Sequence, residues 1–480
     1  MRSLLMAAAA AMALGGCATT GGTGSSDQPD TPPSRASAEL LPGLRGLADP
    51  FPSTYQPLPR EDVAIVGGTV FTATGQRIEN GVVILVDGRI AAVGGPDTPI
   101  PAGVRRIDAA GRFVTPGIID AHSHLGVYPS PSVQATSDGN EATNPNTAQV
   151  WSEHSVWPQD PGFNRAREGG VTTLQILPGS ANLFGGRSVT LRNVPSVSMQ
   201  GMKFPDAPYG LKMACGENPS RVYGGRNQSP ATGMGNMAGY RAAWIEAQNY
   251  RRRWQEYDRR IQAGETADPP ARDLRLETLA GVLSGDILVQ NHCYRADEMM
   301  LMLDLAREFG YRITTFHHAS ESYKIADVLA REGICSATWA GWWGFKMESL
   351  DGIEENAAIL HEAGACAVIH SDDATLTQRL NQEAAAALSA GRRAGLDIAE
   401  EDAIAWITLN AARSIGVEDQ TGSLEVGKRA DVVIWSANPF SIYALADQVF
   451  IDGARVHDRF DEAYQARSDF ELGQPGQGDR

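Results

Sequence analysis

Four short motifs place His and Asp side chains at the ends of apolar segments that have the composition of β-strands. They are residues 120–124 (DAHSH), 291–294 (NHCY), 316–319 (FHHA) and 370–373 (HSDD). In a parallel barrel the carboxyl ends of all strands meet at one face, so side chains ~250 residues apart can converge there. His and carboxylate groups are common ligands of catalytic metal ions. The motifs therefore predict a parallel α/β barrel that carries a metal site.

The first motif has the spacing of a pair of metal ligands. On a strand, His122 and His124 project from the same face with Cα atoms ~6.5–7 Å apart. Two imidazoles at this separation can bind one ion through bonds of ~2.1 Å. The preceding residues 114–120 are apolar and β-branched, as expected of a buried strand. Two histidines on a solvated sheet edge are the alternative, and the three further motifs favour the metal site.

Length and charge limit the classes of function. A chain of 480 residues can bury one large core, alone or beside a smaller domain. Its formal net charge is −16, whereas nonspecific nucleic-acid binding requires a basic surface. We therefore expect a small-molecule substrate and no nucleic-acid partner. A homo-oligomer is left open.

The N-terminus has the pattern of an export signal. Arg2 is followed by an apolar segment over residues 4–14 that is too short to span a bilayer. Leu14-Gly-Gly-Cys17 resembles a bacterial lipobox, and Ala18 fits sorting to the outer membrane. We predict a lipoprotein signal peptide over residues 1–17 and a periplasmic protein that is held at the outer membrane by lipidated Cys17. An ordinary secretory signal is the alternative.

The rest of the chain divides into a tether, two flanking β regions and a central α/β region. Strand and helix signals alternate in the central region, and about eight such units favour a closed barrel over an open sheet. The flanking strands, with hairpin turns at Asp87-Gly88 and Asp452-Gly453, can pair into a sandwich. We predict a distorted (β/α)8 TIM barrel with a small β-sandwich built from both ends of the chain. The predicted boundaries are 18–59 for a flexible tether, 60–114 with 420–460 for the sandwich, 115–419 for the barrel and 461–480 for a polar tail.

The four cysteines beyond Cys17 show no paired motif. Cys215, Cys293, Cys335 and Cys366 lie in or beside predicted strands, and none belongs to a C-x-x-C pair. Buried free thiols are therefore the expectation.

Two further segments carry a resemblance to a known family. Residues 421–434 resemble the C-terminal signature of the amidohydrolase superfamily, and residues 409–416 resemble its last helix. The resemblance extends over roughly residues 60–455, and imidazolonepropionase-like and prolidase-like members are the most similar groups. It implies a metal-dependent hydrolase whose metal centre lies at the carboxyl ends of the barrel strands.

The resemblance also implies a set of ligands. Five positions match the family ligands of strands 1, 5, 6 and 8, namely His122, His124, His292, His318 and Asp372. The neighbours His317 and Asp373 are competitors, and strand alternation lets only one of each adjacent pair reach an ion. His370 is expected to orient a ligand carboxylate by donating a hydrogen bond.

The number of ions depends on Lys212. It ends a strand-like segment at the position where binuclear members bridge two ions with a carboxylated lysine. Burial lowers the pKa of an amine and favours the neutral form that can react with carbon dioxide. A lysine that reaches solvent and pairs with Glu217 is the alternative. Zinc is the default metal, although other divalent first-row metals fit His and carboxylate ligands.

The implied reaction is hydrolysis of an amide C–N bond in an N-acyl amino acid, a dipeptide or a cyclic amide. In this mechanism a divalent metal activates water, and Asp372 acts first as general base and then as general acid. Candidate substrate-binding residues are Tyr294 and Arg295, which follow the strand-5 ligand, and Arg187.

Two alternatives to amide hydrolysis stay open. The first is a deaminase or lactonase on the same scaffold, although a mononuclear deaminase requires a His-x-x-Glu pattern and Arg295 stands at the Glu position. The second is a non-catalytic surface lipoprotein, which the complete set of ligands disfavours.

Overall fold

The computed structural model describes residues 49–130 and 132–464. The predicted signal peptide, Cys17, tether residues 18–48 and tail residues 465–480 lie outside this part of the chain. Within the described ranges, no helix combines the length and the apolar character needed to cross a membrane.

Strands and helices alternate through the middle of the chain, and strands predominate at both ends. The strands are β1 (Val63–Phe71), β2 (Arg77–Val86), β3 (Arg89–Gly94), β4 (Arg105–Asp108), β5 (Phe113–Pro116), β6 (Ile118–Ser123), β7 (Val171–Ile176), β8 (Phe184–Arg192), β9 (Gly210–Ala214), β10 (Leu288–His292), β11 (Thr315–His317), β12 (Cys335–Thr338), β13 (Cys366–Ile369), β14 (Val432–Trp435), β15 (Ala446–Ile451) and β16 (Ala454–Asp458). The α-helices are α1 (Pro161–Glu168), α2 (Met199–Met202), α3 (Glu217–Gly224), α4 (Gly233–Gln262), α5 (Leu274–Leu283), α6 (Ala296–Phe309), α7 (Ala326–Glu332), α8 (Asn356–Glu362), α9 (Leu380–Arg393), α10 (Glu400–Ala403) and α11 (Leu409–Ile415). Short 3-10 helices span Gln134–Thr136, Ser152–His154, Ser322–Ile325, Met347–Ser349, Thr377–Arg379, Ile404–Ile407 and Glu462–Tyr464.

Strands β6 to β13 lie side by side in chain order and form a nearly closed barrel sheet. The segment after β13 returns to β6, where the Asp372 N–H donates to the His122 carbonyl at 2.9 Å. The buried Asp120 carboxylate completes this closure by accepting hydrogen bonds from the Ser371 backbone N–H and hydroxyl. The barrel sheet expected from the sequence is therefore present, beside a second, separate sheet.

The expectation of repeated parallel strands is wrong at β8, which is antiparallel to both β7 and β9. Because β7 ends at Ile176 and β8 begins at Phe184, only seven residues connect the two strands. A parallel crossover needs about a dozen residues or more, so the chain can only turn back on itself here. The short connection thus explains the one reversed strand of the barrel.

The second sheet combines strands from both ends of the chain. Strand β5 pairs with β1 on one side and with β14 on the other, which joins the N-terminal strands to the C-terminal ones. Buried side chains from both groups, such as Val83 and Val432, form one apolar cluster. Both Asp-Gly hairpin turns are confirmed, because each lies between paired antiparallel strands and has positive φ at both residues.

A buried ion pair connects the barrel to the second sheet. Arg192, at the end of β8, donates to Asp431 at 2.7 Å and lies 3.2 Å from Asp452. The Thr421 hydroxyl donates to the same Asp431 carboxylate at 2.6 Å. Thr421 and Asp431 both belong to the segment that resembles the family signature, so this segment has a structural role at the contact between the sheets.

The expectation of free thiols is wrong, because the four cysteines form two disulfide bonds. Cys215 is bonded to Cys293 and Cys335 to Cys366, with Cα atoms 5.3 and 4.4 Å apart. Cys335 and Cys366 face each other in register on β12 and β13. Cys215 follows β9, and its N–H donates to the His292 carbonyl, directly before Cys293. Each bond therefore joins neighbouring strands, a proximity that sequence separations of 31 and 78 residues conceal.

Candidate metal centre

The carboxyl ends of the barrel strands bring the predicted ligands together. His122 lies in β6, His124 directly after it, Lys212 in β9, His292 at the end of β10, His318 after β11 and Asp372 after β13. The ligand atoms of His122, His124 and Asp372 all lie within 4.8 Å of one another. Asp372 is the most accessible of these side chains, with 23% of its surface exposed, whereas His122 is fully buried. The cluster is therefore buried at its base and open at Asp372.

His122 is the central residue of the cluster. Its Nε2 lies 3.1 Å from Lys212 Nζ and 3.4 Å from Asp372 Oδ1. Its Nδ1 lies 2.9 Å from His317 Nδ1. Burial lowers the pKa of His122 well below its usual value, and the Lys212 ammonium adds to the effect. The neutral imidazole is thus the stable form, with one protonated nitrogen.

A chain of hydrogen bonds determines which nitrogen of His122 carries the proton. The Gln290 amide donates to the Ser414 carbonyl at 2.9 Å, and this bond orients its Oε1 toward His317 Nε2 at 2.6 Å. His317 must therefore donate from Nε2 and accept at Nδ1, so His122 donates from Nδ1. His122 Nε2 is left as a lone pair that points into the cluster.

A backbone carbonyl orients the ring of His124. Its Nδ1 lies 2.8 Å from the Leu177 carbonyl, which can only accept a hydrogen bond. The other ring nitrogen, Nε2, faces the cluster and lies 3.0 Å from Asp372 Oδ1. Two imidazole nitrogens and a carboxylate oxygen thus converge on one point. Imidazole nitrogens and carboxylate oxygens are ligands of divalent metals, so the donor set fits such an ion.

His292 has one ring nitrogen with a hydrogen-bond partner and one without. The Lys346 ammonium donates to Asn218 Oδ1 at 2.8 Å, which directs the Asn218 amide to His292 Nε2 at 3.3 Å. His292 Nδ1 is buried and has no hydrogen-bond partner among the described residues. Because Nε2 accepts from Asn218, the proton of a neutral His292 lies on Nδ1, so this ring can bind an ion only if Asn218 moves away from Nε2.

The structure contradicts the expectation that strand alternation separates His317 from His318. Both side chains are buried inside the barrel, with ring centroids 4.6 and 4.4 Å from that of His122. His318 lies just past β11 with φ +58°, in the left-handed region, and this turn breaks the alternation. His317 forms a hydrogen bond with Nδ1 of His122. His318 Nδ1 lies 3.8 Å from Asp372 Oδ2.

The expected role of His370 is also corrected. Its Nε2 lies 2.8 Å from His318 Nδ1, so it positions this imidazole rather than a carboxylate. Of the two neighbouring aspartates, Asp372 has φ +56° and faces the histidines. Asp373 instead accepts the Thr375 and Leu376 N–H groups at 2.8 and 2.9 Å, as the cap of a turn.

Of the three candidate substrate-binding residues, only Tyr294 lies at the cluster. Its ring centroid is 4.6 Å from that of His292, and Lys346 Nζ lies 4.2 Å above the ring. Arg295 is 48% exposed and forms a bidentate pair with Asp297, at 2.9 Å for both bonds. Arg295 therefore points away from the centre.

Arg187 lies on the other side of the barrel wall. It pairs with Leu211, whereas its neighbour Gly186 pairs with Lys212, whose side chain enters the barrel. Because side chains alternate along a strand, Arg187 points outward. Its Nε donates to Thr278 of α5 at 2.8 Å. Arg187, a predicted substrate-binding residue, thus lies outside the candidate metal centre.

Three residues that the sequence did not indicate contribute to the centre. Gln290 lies two positions before His292 on β10, so strand periodicity alone places both on one face and could have found it. Asn218 lies in the first turn of α3 and Lys346 lies in a loop, and neither position has a strand-end signal.

The rim of the site is aromatic. Trp339 stacks on His318 with centroids 4.7 Å apart, and Trp342 stacks on Trp339 at 4.9 Å. Phe345 closes this group against Tyr294 at 6.0 Å. Trp342 and Phe345 are exposed. The loop after β12 therefore presents an apolar wall beside the candidate ligands.

Known proteins are similar to this chain in sequence and in fold. The model of the Amidohydrolase family matches residues 291–457. The crystal structure of an amidohydrolase from Thermotoga maritima superposes with a TM-score of 0.75 and 34% identity, over 83% of this chain and 100% of that one. This chain belongs to the amidohydrolase family. The predicted membership is thereby confirmed.

Further relatives differ from one another in length and in the activity for which they are named. Amidohydrolase tasK of Hapsidospora irregularis is 31% identical over 404 residues, which are 79% of this chain and 39% of tasK. The chain thus spans about two fifths of that relative. A 5-methylthioadenosine/S-adenosylhomocysteine deaminase of Symbiobacterium thermophilum is 25% identical over 423 residues, or 78% of this chain and 86% of the deaminase. Imidazolonepropionases are further relatives.

Proposed function

We propose that this amidohydrolase is a metal-dependent enzyme that hydrolyses the amide C–N bond of a small substrate. N-acyl amino acids, dipeptides and cyclic amides are the substrate classes. The observation that carries the proposal is the convergence of imidazole nitrogens of His122 and His124 with the Asp372 carboxylate. Relatives named for C–N bond chemistry support it. The scaffold in this proposal is a distorted TIM barrel, with the second sheet as a small sandwich.

The residues that would hold the metal surround the base of the site. They are His122, His124, His292, His318 and Asp372, with Lys212 as a sixth. When bound, a divalent ion such as zinc supplies Lewis acidity toward water and toward a carbonyl oxygen. Asp372 is the one carboxylate among these residues, and its partial exposure gives it access to substrate.

Lys212 is proposed as a carboxylated bridge between two ions. It is fully buried, donates to the Pro178 carbonyl at 3.0 Å and lies 3.1 Å from His122 Nε2. Burial lowers the pKa of Lys212 to about 7, so its neutral amine is accessible for reaction with carbon dioxide. The alternative partner Glu217 lies instead 3.3 Å from Lys346.

Asp372 is proposed to transfer the proton during hydrolysis. Its Oδ1 lies between the two imidazoles of the first motif, on the exposed side of the site. From there the carboxylate takes a proton from the attacking water and delivers it to the leaving nitrogen. Tyr294 and Lys346, at the rim, are proposed to contact a polar group of the substrate, and the aromatic wall is proposed to contact its apolar part.

The proposed location is the periplasm, with an anchor at lipidated Cys17. Disulfide bonds persist in oxidising compartments and are rare in the reducing cytosol. The two disulfides of the barrel therefore support export. Palmitate labelling of the full chain, with Cys17→Ser as control, tests the anchor, and equal labelling of both proteins would contradict it.

Activity measurements test the proposed function directly. The metal-loaded protein is screened against acyl-amino acids, dipeptides and cyclic amides, with adenosine derivatives and lactones as the alternative substrates. We expect amide hydrolysis that a chelator abolishes, that Asp372→Asn abolishes and that Arg295→Gln leaves intact. Deamination or lactone hydrolysis alone would replace the proposed reaction, and an inert, metal-free protein would reject any enzymatic role.

A further inference from the structure

A cavity lies outside the barrel wall and has no part in the candidate metal centre. Its volume is about 570 Å³, which falls within the ~300–1,000 Å³ of small-molecule sites. Residues before β9, the end of α5 and the segment near Ser53 line it, and Arg187 reaches it from β8. The candidate metal ligands are absent from its lining.

Arg187 offers this cavity a charged group that is only partly hydrogen-bonded. Only 4% of the residue is exposed, and the guanidinium lies 4.1 Å above the Trp151 ring. Its Nε donates to Thr278, but its two Nη groups form no hydrogen bond or ion pair with the described residues. Burial lowers the pKa of Arg187 to about 10, so it remains charged at neutral pH. A guanidinium with two free donor groups suits a bidentate carboxylate.

The other cation of the cavity is already neutralised. The Lys203 ammonium lies 2.9 Å from Glu153 and 3.0 Å from Asp49, and it donates to the Phe51 carbonyl at 2.6 Å. Lys203 therefore has little capacity left for a ligand, and Arg187 is the cationic group available to one.

Asp286 offers the cavity a negative charge, opposite to that of Arg187. It lines the same cavity, and its Oδ2 is buried without a hydrogen-bond partner in the described part of the chain. By contrast, Glu277 is held by Arg272 through two bonds of 2.7 and 2.9 Å. Asp286 is therefore the carboxylate available to a ligand ammonium.

The charged side chains that line the cavity indicate the class of ligand. Asp49, Asp206, Glu277 and Asp286 line the cavity and disfavour a simple anion, while unpaired Arg187 disfavours a simple cation. A zwitterion satisfies both unpaired groups. We propose that this cavity binds a small amino-carboxylate zwitterion, with its carboxylate on Arg187 and its ammonium on Asp286. Phe204, Pro205 and Ile287 line the same cavity and offer apolar contacts.

Calorimetric titration of the full chain tests this site independently of any turnover. The probes are the twenty protein amino acids and three ω-amino acids, namely β-alanine, 4-aminobutanoate and 6-aminohexanoate. None of these probes contains an amide bond between its ammonium and its carboxylate. The protein amino acids test a short distance between the two charges, and the ω-amino acids test longer distances. For the tightest binder, analogues lacking the amine or the carboxylate measure what each charge contributes.

We expect at least one zwitterion to bind at one per chain, and each analogue to bind at least tenfold more weakly. Arg187→Gln and Asp286→Asn should each weaken binding at least tenfold, whereas Arg295→Gln and Asp297→Asn, an exposed pair of the same charges, should not. Asp286 is partly exposed, so its variant decides the question if Arg187→Gln fails to fold. No saturable binding, or binding unchanged in the cavity variants, would overturn the proposal.

Discussion

The Nδ1 atoms of His122 and His317 lie 2.9 Å apart, and this contact commits the opposite nitrogen of His122 to the candidate metal centre. Two Nδ1 atoms can share only one proton, and the Gln290 carbonyl oxygen assigns it to His122 by accepting from His317 Nε2. A residue outside the ligand set thereby determines the protonation of a ligand.

Loss of this orienting amide should weaken metal binding. Replacing Gln290→Leu removes the acceptor for His317, so His122 can present a protonated Nε2 to the site. We expect metal affinity to fall by ~10–100-fold, as for other groups that orient ligating histidines. Gln175→Leu is the matched control, because Gln175 is also buried and neither of its amide atoms has a partner among the described residues. Equal affinities of the two variants in a chelator competition assay would refute the relay.

The ion pair between barrel and second sheet should be important for stability. In Asp431→Ala, Arg192 remains buried and loses its shortest ion pair, which typically costs ~3–5 kcal/mol. In the control variant Asp297→Ala, an exposed pair with Arg295 is lost, at a cost of ~0–1 kcal/mol. Denaturant unfolding of both variants measures the difference. A similar midpoint for the two would show that the buried pair does not stabilise the contact.

The disulfides should be detectable in the purified protein. Mass analysis of the unfolded, alkylated chain should find Cys215, Cys293, Cys335 and Cys366 unmodified unless a reductant is added. Replacing Cys335 and Cys366 together by Ser should lower the free energy of unfolding by ~3–4 kcal/mol on chain-entropy grounds. Alkylation of all four thiols without reductant would contradict the assigned bonds.

The carboxyl group of Glu298 should contribute a pH dependence that lowers the free energy of unfolding as the pH becomes alkaline. Burial and the nearby Glu348 raise the pKa of Glu298 to about 7. Because the folded state holds this proton more tightly, its stabilising effect is lost as pH rises from the unfolded value near 4.5 through 7. Glu298→Gln should raise Tm at pH 8 by about 1–3 °C and have little effect at pH 5. Glu308→Gln, at an exposed position of the same helix, is the comparison variant, and a parallel response of both would contradict the assignment.

Local patterns in the sequence indicated the strand ends, because His and Asp at the end of an apolar run need no knowledge of the fold. The motifs that contain His122, His292 and Asp372 were located in this way, whereas the preference for Asp372 over Asp373 came from the family resemblance. Pairing between strands was not accessible, since register depends on the whole barrel. For this reason the Cys335–Cys366 bond was missed, and the turn at His318 was not foreseen.

The position of Arg187 shows the same limit. Gly185 and Gly186 precede Arg187, and such a flexible pair beside an arginine indicates a binding residue. The direction of the arginine side chain, however, depends on its position in the reversed strand β8. That reversal follows from the short connection after β7, which the alternation of strand and helix signals did not reveal.

The metal content of the purified protein tests the central claim most directly. Elemental analysis of the full chain should find at least one divalent transition metal per chain, and two if Lys212 is carboxylated. His122→Gln should lose most of this metal, whereas the exposed variant Arg295→Gln should retain it. A wild-type protein that stays metal-free after incubation with zinc, manganese, cobalt or nickel would contradict the assignment of the cluster as a metal centre.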